Sequence, residues 1–283
     1  MNVELADERF LILTDRFSMD HAEGRAWTKR IEAFGTLAKV SGFLNRPKDE
    51  DFELVYRERR LQPFWRLICT GTYSYERTRR YAVKVAPEVE ASEIEGKTFA
   101  AVNGEVTLEG LETCREALRK ETLYDALTKA PALGLIEYLK YDAVETRPET
   151  LQADAGEDTI VVPPIAKASE LIREALGAVI ARIEADRVLE EQLRVEATEL
   201  YYRPVYAFRY RWQGKEAVVE FDGLTGEVKA GGATFEQYLG QVLEPKFLIN
   251  AGVEAAALFI PGARLAEIIV SKGVALATAP KTR

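Results

Sequence analysis

The stretch ELYYRPVYAFRYRWQGKEAVVEFDGLTG, residues 199–226, decides the predicted fold. Aromatic and basic side chains alternate along two predicted strands, which turn at Gln213-Gly214 and lead into a glycine-punctuated tight turn. A similar stretch, RERRLQPFWRLICTGTYSYERTRRYAVKV, occupies residues 57–85. Each stretch has a proline near its start, Pro63 or Pro204, at which we expect a strand to end. The sequence therefore predicts two similar hairpins, each rich in aromatic residues and arginine.

Each predicted hairpin follows a predicted amphipathic helix. Ser18–Val40 places apolar residues at three- and four-residue spacings behind a capping serine, and Lys167–Leu193 has a similar stripe. The predicted fold class is therefore α+β, with two related helix-on-antiparallel-sheet (α-β-β-β) units and a helical C-terminal appendage. An internal duplication explains this order, and a chance similarity of two hairpins is the alternative.

The predicted domain organisation follows from these two units. Residues 1–142 form the first α+β unit, with an added helix over Leu108–Lys129, and residues 167–283 form the second, with apolar C-terminal helices. The segment between them, 143–166, is polar, acidic and proline-containing, which is typical of a linker or crossing segment. Within it, Thr159–Val162 can pair as an edge strand.

The second unit resembles the PepSY and cystatin-like α+β modules. The resemblance covers residues 167–229 and rests on the helix, the strand YRPVYAFRYRW and the closing VVEFDGLTGEV, with Asp222, Thr225 and Gly226 in the turn. It implies a small module in which one helix covers an antiparallel sheet. PepSY modules are mostly exported and often associated with peptidase control, but we carry over the fold alone.

Composition and charge limit the classes of function. The chain of 283 residues is 47% hydrophobic and carries a net charge of -8, which is typical of a globular protein and not of a bulk partner for DNA. It has two cysteines, Cys69 and Cys114, and no CxxC motif, so we expect no structural zinc site and no cofactor. The N-terminus lacks the pattern of a secretory signal, which predicts a cytoplasmic protein with free thiols.

Few residues point to catalysis. The single histidine, His21, lies in the first turn of a predicted helix and has no nucleophile pattern around it. Glu220 and Asp222 lie on one face of a strand end, which leaves a carboxylate-dependent hydrolase open as a hypothesis. The structural interpretation is that Asp222 starts a turn and that Glu220 pairs with Arg209 or Arg211.

The most distinctive feature is basic. Residues 57–84 hold eight cations and two acids, a charge of 8 - 2 = +6 within an acidic chain. Three interpretations stay open: a plain sheet surface, a protein interface, and a single-stranded nucleic-acid or polyanion site that uses aromatic faces and guanidinium groups. The predicted binding residues are Arg57, Arg59, Trp65, Arg77, Arg79, Arg80, Tyr206, Arg209, Arg211 and Trp212.

The segment Pro245–Ala277 is rich in apolar residues and poor in charge. Core packing, an oligomer interface and a peripheral membrane contact are the three interpretations. Its most apolar part, Phe247–Ala263, is too short for a span and holds Glu254 in its middle, so we expect no transmembrane helix.

The sequence thus predicts a non-enzymatic binding or assembly protein. It would act through arginine and aromatic sheet faces and the apolar C-terminal segment, on a protein partner or on another copy of itself. The alternatives are a single-stranded nucleic-acid or polyanion binder acting through Arg57–Lys84 and the hydrolase at Glu220 and Asp222.

Overall fold

A computed structural model describes residues 2–35, 47–180 and 184–237, and more than half of them lie in strands. The strands are β1 Asn2–Leu5, β2 Glu8–Leu13, β3 Glu53–Lys84, β4 Ala91–Ile94, β5 Lys97–Val102, β6 Glu105–Asp125, β7 Ala143–Thr146, β8 Thr159–Val161, β9 Arg187–Trp212, β10 Lys215–Asp222 and β11 Val228–Ala230. The α-helices are α1 Met19–Ala33, α2 Leu151–Ala155 and α3 Ala168–Gly177, and 3-10 helices cover Asp49–Asp51 and Leu133–Lys140.

These strands form an eleven-stranded mixed sheet. Its main path runs β11-β10-β9-β3-β6-β5-β4, and β1, β2, β7 and β8 pair off that path. β1 is parallel to β9 and β8 is parallel to β3, whereas the β9–β10 and β4–β5 pairs are antiparallel. The predicted α+β class is confirmed, but this topology does not show a duplication.

Contacts divide the chain into two compact units. Of the described residues, those within Met1–Asp7, Leu67–Thr122 and Ala168–Thr198 form the ribbon unit, and those within Glu8–Arg66, Leu123–Lys167 and 199–237 form the core unit. The three longest strands, β3, β6 and β9, each contribute residues to both units. These units interleave along the chain. The predicted domain boundaries at 142 and 166 stay a prediction.

The prediction that Pro63 and Pro204 end strands is wrong. β3 runs unbroken through Pro63, and β9 runs through Pro204. The β3–β8 register ends at Leu61, and the β9–β10 register ends at Val205. Each proline therefore lies where pairing on one side of its strand stops, so its missing N–H costs no ladder hydrogen bond there.

The predicted helix over Leu108–Lys129 is also wrong, because this region is strand β6. From Thr107 to Arg119 the residues alternate strictly between exposed and half-buried, which is the two-residue period of a strand. β6 pairs with β3 on one side and β5 on the other, which satisfies its backbone groups. Cross-strand pairing has outweighed a helix-like spacing of apolar residues.

The predicted helix Lys167–Leu193 is confirmed only at its start. α3 ends at Gly177, and by Arg187 the chain has entered β9. In the ribbon unit α3 and the residues after it lie on one face of the sheet. There the Tyr73 hydroxyl donates to the Val179 carbonyl at 2.8 Å, and Gly71 leaves room for the same carbonyl.

Several local predictions are confirmed. Ser18 caps α1, with its hydroxyl accepting from the His21 N–H at 3.3 Å. β9 and β10 form the predicted hairpin, with Gln213 and Gly214 both at positive φ, as a tight two-residue turn requires. Residues 159–161 pair as a strand, β8.

The hydrophobic core of the core unit lies between α1 and the β9–β10 hairpin. Ala22 and Ala26 present small side chains to the buried aromatic rings of Tyr206, Phe208 and Phe221. A second cluster surrounds Phe64 and Tyr201, whose rings stack at 5.2 Å. The predictions for Pro245–Ala277, including the apolar C-terminal helices, lie outside the described residues.

Candidate functional site

The Arg60 side chain is buried at the centre of an ion-pair network in the core unit. Its Nη1 donates to Glu58 Oε1 at 2.9 Å, and its Nη2 donates to Glu220 Oε1 at 2.5 Å. The same two carboxylate oxygens accept main-chain N–H bonds, Glu58 from Phe235 at 2.8 Å and Glu220 from Ala233 at 3.1 Å. Arg60 also donates to the Ala233 carbonyl. The network therefore fixes residues 233–235 against β3 and β10.

The predicted pairing of Glu220 with Arg209 or Arg211 is wrong. In the β9–β10 register Glu216 lies opposite Arg211, whereas Glu220 lies opposite Ala207. Glu216 accepts from Arg211 at 2.8 Å and lies 3.6 Å from Arg209. Glu220 instead meets Arg60 of β3, the strand that lies beyond β9 in the sheet order.

Asp222 starts the turn, as predicted. Its Oδ1 accepts from the N–H groups of Leu224 and Thr225, both at 2.9 Å. Its Oδ2 accepts from Arg203 at 2.7 Å and from the Tyr138 hydroxyl at 2.5 Å. Burial raises the pKa of Tyr138, so its phenol stays a donor to Asp222. Both oxygens of this carboxylate are thus occupied by protein donors.

The three aromatic residues among the predicted binding residues lie in the core. The Trp65 indole donates to the Ala166 carbonyl at 2.9 Å, and the Tyr206 hydroxyl donates to Asp15 at 2.6 Å. The Trp212 ring stacks on Phe52 at 5.5 Å. All three are more than nine-tenths buried. Their ring faces are occupied by protein and are not exposed to a nucleic-acid base.

The predicted arginines of the core unit all have acidic partners. The pairs are Arg57 with Glu23, Arg59 with Asp15, Arg209 with Glu216 and Glu236, and Arg211 with Glu53 and Glu216. Arg59 also donates to the Ala155 carbonyl at 3.0 Å, which ties β3 to α2. These arginines hold the unit together through pairs that leave little net positive charge.

In the ribbon unit the predicted arginines meet glutamates of β6. Arg77 binds Glu112 at 2.6 Å, Arg79 lies 3.8 Å from the same carboxylate, and Arg80 lies 3.4 Å from Glu109. β6 carries six acids and three cations, 3 - 6 = -3, beside the +6 of residues 57–84. The neighbouring strand therefore offsets half of the positive charge that makes residues 57–84 distinctive.

Glu112 is the centre of this small exposed cluster. It accepts from the Tyr81 hydroxyl as well as from Arg77, and these two bonds lower the pKa of its carboxyl. The bond to Glu112 raises the pKa of Tyr81. Tyr81 lies over Gly110, where a β-carbon would meet its ring at 3.2 Å. The cluster belongs to the surface, in contrast to the Arg60 network.

Residues 77–120, which we call the ribbon, form the exposed end of this sheet. All seven residues from Thr78 to Lys84 are exposed although they belong to a hydrogen-bonded strand. The ribbon also exposes large apolar side chains, namely Tyr81 44%, Val83 45%, Ile94 41%, Val102 65% and Leu111 65%. Apolar side chains grouped between charges are typical of a surface that meets another protein.

A shallow groove of about 390 Å³ lies on the sheet of the ribbon unit, on strands β1, β9, β3 and β6. Arg194 pairs with Glu4 at 3.4 Å and Arg119 pairs with Glu196 at 3.1 Å along its lining. Thr70, Thr72 and Gln192 contribute hydroxyl and amide groups. Residue alternation places these side chains on the face opposite Tyr73, which is the face that α3 does not cover.

Other features add no reactive centre within residues 2–35, 47–180 and 184–237. No group of three or more metal-ligating side chains occurs there, and no helix there is long and apolar enough to cross a membrane. The His21 ring stacks on Phe17 at 5.1 Å. Cys69 and Cys114 are free, and burial raises the pKa of the Cys69 thiol to about 11.

Sequence reasoning missed both partners of Arg60 and the role of β6. Glu58 lies two residues from Arg60, so its short spacing on one strand face was a usable signal. Glu220 lies 160 residues away, and no local pattern indicates that pairing. The excess of acidic residues in β6 was a signal for a strand beside a basic one, but the helical spacing of its apolar residues concealed it.

No protein-family model, no curated protein and no solved structure matches this chain. The resemblance of residues 167–229 to PepSY and cystatin-like modules therefore stays a prediction.

Proposed function

We propose that this chain is a non-enzymatic binding or assembly protein, and that the ribbon is the surface that meets a protein partner. The supporting observation is the run Thr78–Lys84, in which all seven residues are exposed and Tyr81 and Val83 present apolar groups on one face of the strand. Exposed apolar groups between charged ones favour association with another protein, because binding removes the apolar groups from water.

Two alternatives have weaker support. A polyanion site built from the predicted residues would need exposed aromatic faces beside its arginines, but Trp65, Tyr206 and Trp212 are buried and Arg77 is bound by Glu112. A hydrolase would need a free carboxylate pair, but Glu220 binds Arg60 and both oxygens of Asp222 accept hydrogen bonds.

Photo-crosslinking tests the proposed surface directly. A photoreactive phenylalanine analogue would replace Val83 or Leu111 in the full chain, in cells. The matched control is Leu133, which is 71% exposed in the core unit. We expect protein adducts from Val83 and Leu111 and none from Leu133. Equal adducts at all three positions, no adducts from the ribbon, or adducts to nucleic acid would contradict the proposal.

We also propose that the chain arose by internal duplication. The element order α3–β9–β10–β11 follows the same scheme as α1–β3 and the strands after it, and both β3 and β9 contain a proline in mid-strand. Superposition of α3–β9–β10–β11 on the first set tests this idea. Agreement over all four elements would support it, and agreement over only two strands would contradict it.

A further inference from the structure

The far end of the ribbon is acidic. Residues 86–96, which we call the tip, hold four glutamates and no cation, a charge of -4. These glutamates, Glu88, Glu90, Glu93 and Glu95, are all exposed. Within the described part of the chain none of their carboxylates has an ion-pair partner. The tip is therefore a concentrated negative charge held in a hairpin.

The near end of the ribbon is basic. Residues 77–80 and 115–120, which we call the root, hold six cations and one acid, 6 - 1 = +5. Arg115 and Lys120 are exposed and have no ion pair with any residue that the structure describes. Arg80 is 78% exposed and makes only a long contact of 3.4 Å. The intervening residues carry Lys84, Lys97 and three glutamates, 2 - 3 = -1, so the ribbon is neutral as a whole but strongly polarised.

We infer that the occupant of the ribbon is the ribbon of a second copy of this chain. The two copies run antiparallel about a two-fold axis, with the tip of each against the root of the other. A two-fold interface uses the same patch twice and must be self-complementary. A neutral surface with opposite charges at its two ends meets that requirement when two copies lie antiparallel, because each positive end then faces a negative end.

The apolar side chains fit this arrangement. Tyr81 and Val83 lie between tip and root in the chain and, two residues apart on β3, share one face of the ribbon, where they become the middle of the interface. Interfaces commonly place apolar groups at the centre and charges at the rim. This inference rests on the proposed function, because it names the partner of the surface proposed there.

Edge-to-edge pairing of the tips is disfavoured. β4 is the last strand of the main sheet path, and no strand among the described residues pairs with its outer edge. Joining two β4 edges would bring the glutamates of two tips together. Like charges on paired edges oppose association, which is a common protection of exposed strands. Tip-on-root docking brings opposite charges together instead.

Charge reversal and mixing test the inference on the full chain. The root variant carries Arg80→Glu, Arg115→Glu and Lys120→Glu, which changes the root to 5 - 6 = -1. The tip variant carries Glu88→Lys, Glu90→Lys and Glu93→Lys, which changes the tip to -4 + 6 = +2. Sedimentation velocity over a dilution series should show a dimer for the unmodified chain. Each variant alone should self-associate at least about tenfold more weakly.

Mixing the two variants gives the decisive measurement. A root-variant chain and a tip-variant chain have opposite charges at both contacts, so an equimolar mixture, with one chain fluorescently labelled, should form a mixed dimer. Recovery by mixing also shows that both variants are folded. The control combines Lys215→Glu with Glu157→Lys, two exposed positions of the core unit, and should leave the dimer unchanged.

Three outcomes would overturn the inference: a chain that is monomeric at every concentration, a dimer that neither variant weakens, and a mixture that does not associate. If the chain is monomeric but its Val83 position still crosslinks to a different protein, the partner is not a second copy of this chain. The proposed function then stands. A monomeric chain without adducts at Val83 or Leu111 removes both.

Discussion

The two ends of β3 place the same residue type in opposite settings. At the core-unit end Arg60 is fully buried and is bound by Glu58 and Glu220. At the ribbon end Arg80 lies in solvent, 3.4 Å from Glu109. The arginines of β3 therefore do not share one role. The strands that cross an arginine decide whether it stabilises the fold or presents charge to a partner.

Loss of a guanidinium should separate the two ends most strongly. Arg60→Met leaves two buried carboxylates without their counter-ion, and we expect a loss of about 3–5 kcal/mol in the free energy of unfolding. Arg80→Met removes one exposed contact and should change it by no more than about 0.5 kcal/mol. Urea unfolding of the full chain followed by circular dichroism measures both. Equal losses of unfolding free energy in the two variants would show that burial does not make the Arg60 network more stabilising than the exposed Arg80 contact.

Glycine-to-alanine changes probe the same contrast through packing. A β-carbon on Gly232 would lie well inside van der Waals distance of the Glu220 side chain, which Arg60 holds in place. We expect Gly232→Ala to cost about 1–3 kcal/mol in unfolding free energy. Gly110→Ala meets the exposed Tyr81 ring at 3.2 Å, and that ring can move. Its cost should be below about 0.5 kcal/mol, and a larger loss than at Gly232 would reverse the comparison.

Removal of one tyrosine hydroxyl gives a smaller difference. The Tyr206 hydroxyl donates to Asp15 at 2.6 Å and lies 2.7 Å from the Phe17 carbonyl, in the core unit. Tyr206→Phe should lower the free energy of unfolding by about 1–2 kcal/mol, because a buried hydroxyl loses its hydrogen bond to a charged carboxylate. Tyr81→Phe on the ribbon, in chains diluted until they are monomeric, lets water replace the lost bond to Glu112 and should be nearly neutral. Thermal unfolding of both variants decides this, and a more damaging Tyr81→Phe would count against an exposed ribbon.

The smallest effect concerns pH. Hydrogen bonds from Tyr81 and Arg77 lower the pKa of Glu112 below its ordinary value of 4.5. A carboxyl whose pKa is lower in the folded state stabilises the fold above pH 4.5, and this stabilisation disappears as the pH falls through the folded-state pKa. A small difference in urea midpoint between the unmodified chain and Glu112→Gln should therefore be present at pH 6 and shrink at low pH. A midpoint difference that stays constant with pH would show that the lowered pKa of Glu112 is not its cause.

Prediction from sequence succeeded where the determining chemistry was local. The Ser18 cap, the turn at Gln213-Gly214 and the Asp222 turn each depend on atoms within about three residues. Prediction failed for β6, because the three- and four-residue spacing of Leu111, Cys114 and Leu118 is that of a helix. The strand forms because β3 and β5 lie on its two sides, and no window of sequence contains both.

The candidate site divides in the same way. The charges can be read from the amino-acid order: the -4 of residues 86–96, the +5 of the root and the excess of arginine in residues 57–84. Which of those charges have an ion-pair partner depends on the folded chain. Glu220 reaches Arg60 across 160 residues, and β6 brings Glu109 and Glu112 to Arg80 and Arg77. Charge is a property of each residue, whereas its burial and its partners depend on strands that meet only after the chain has folded.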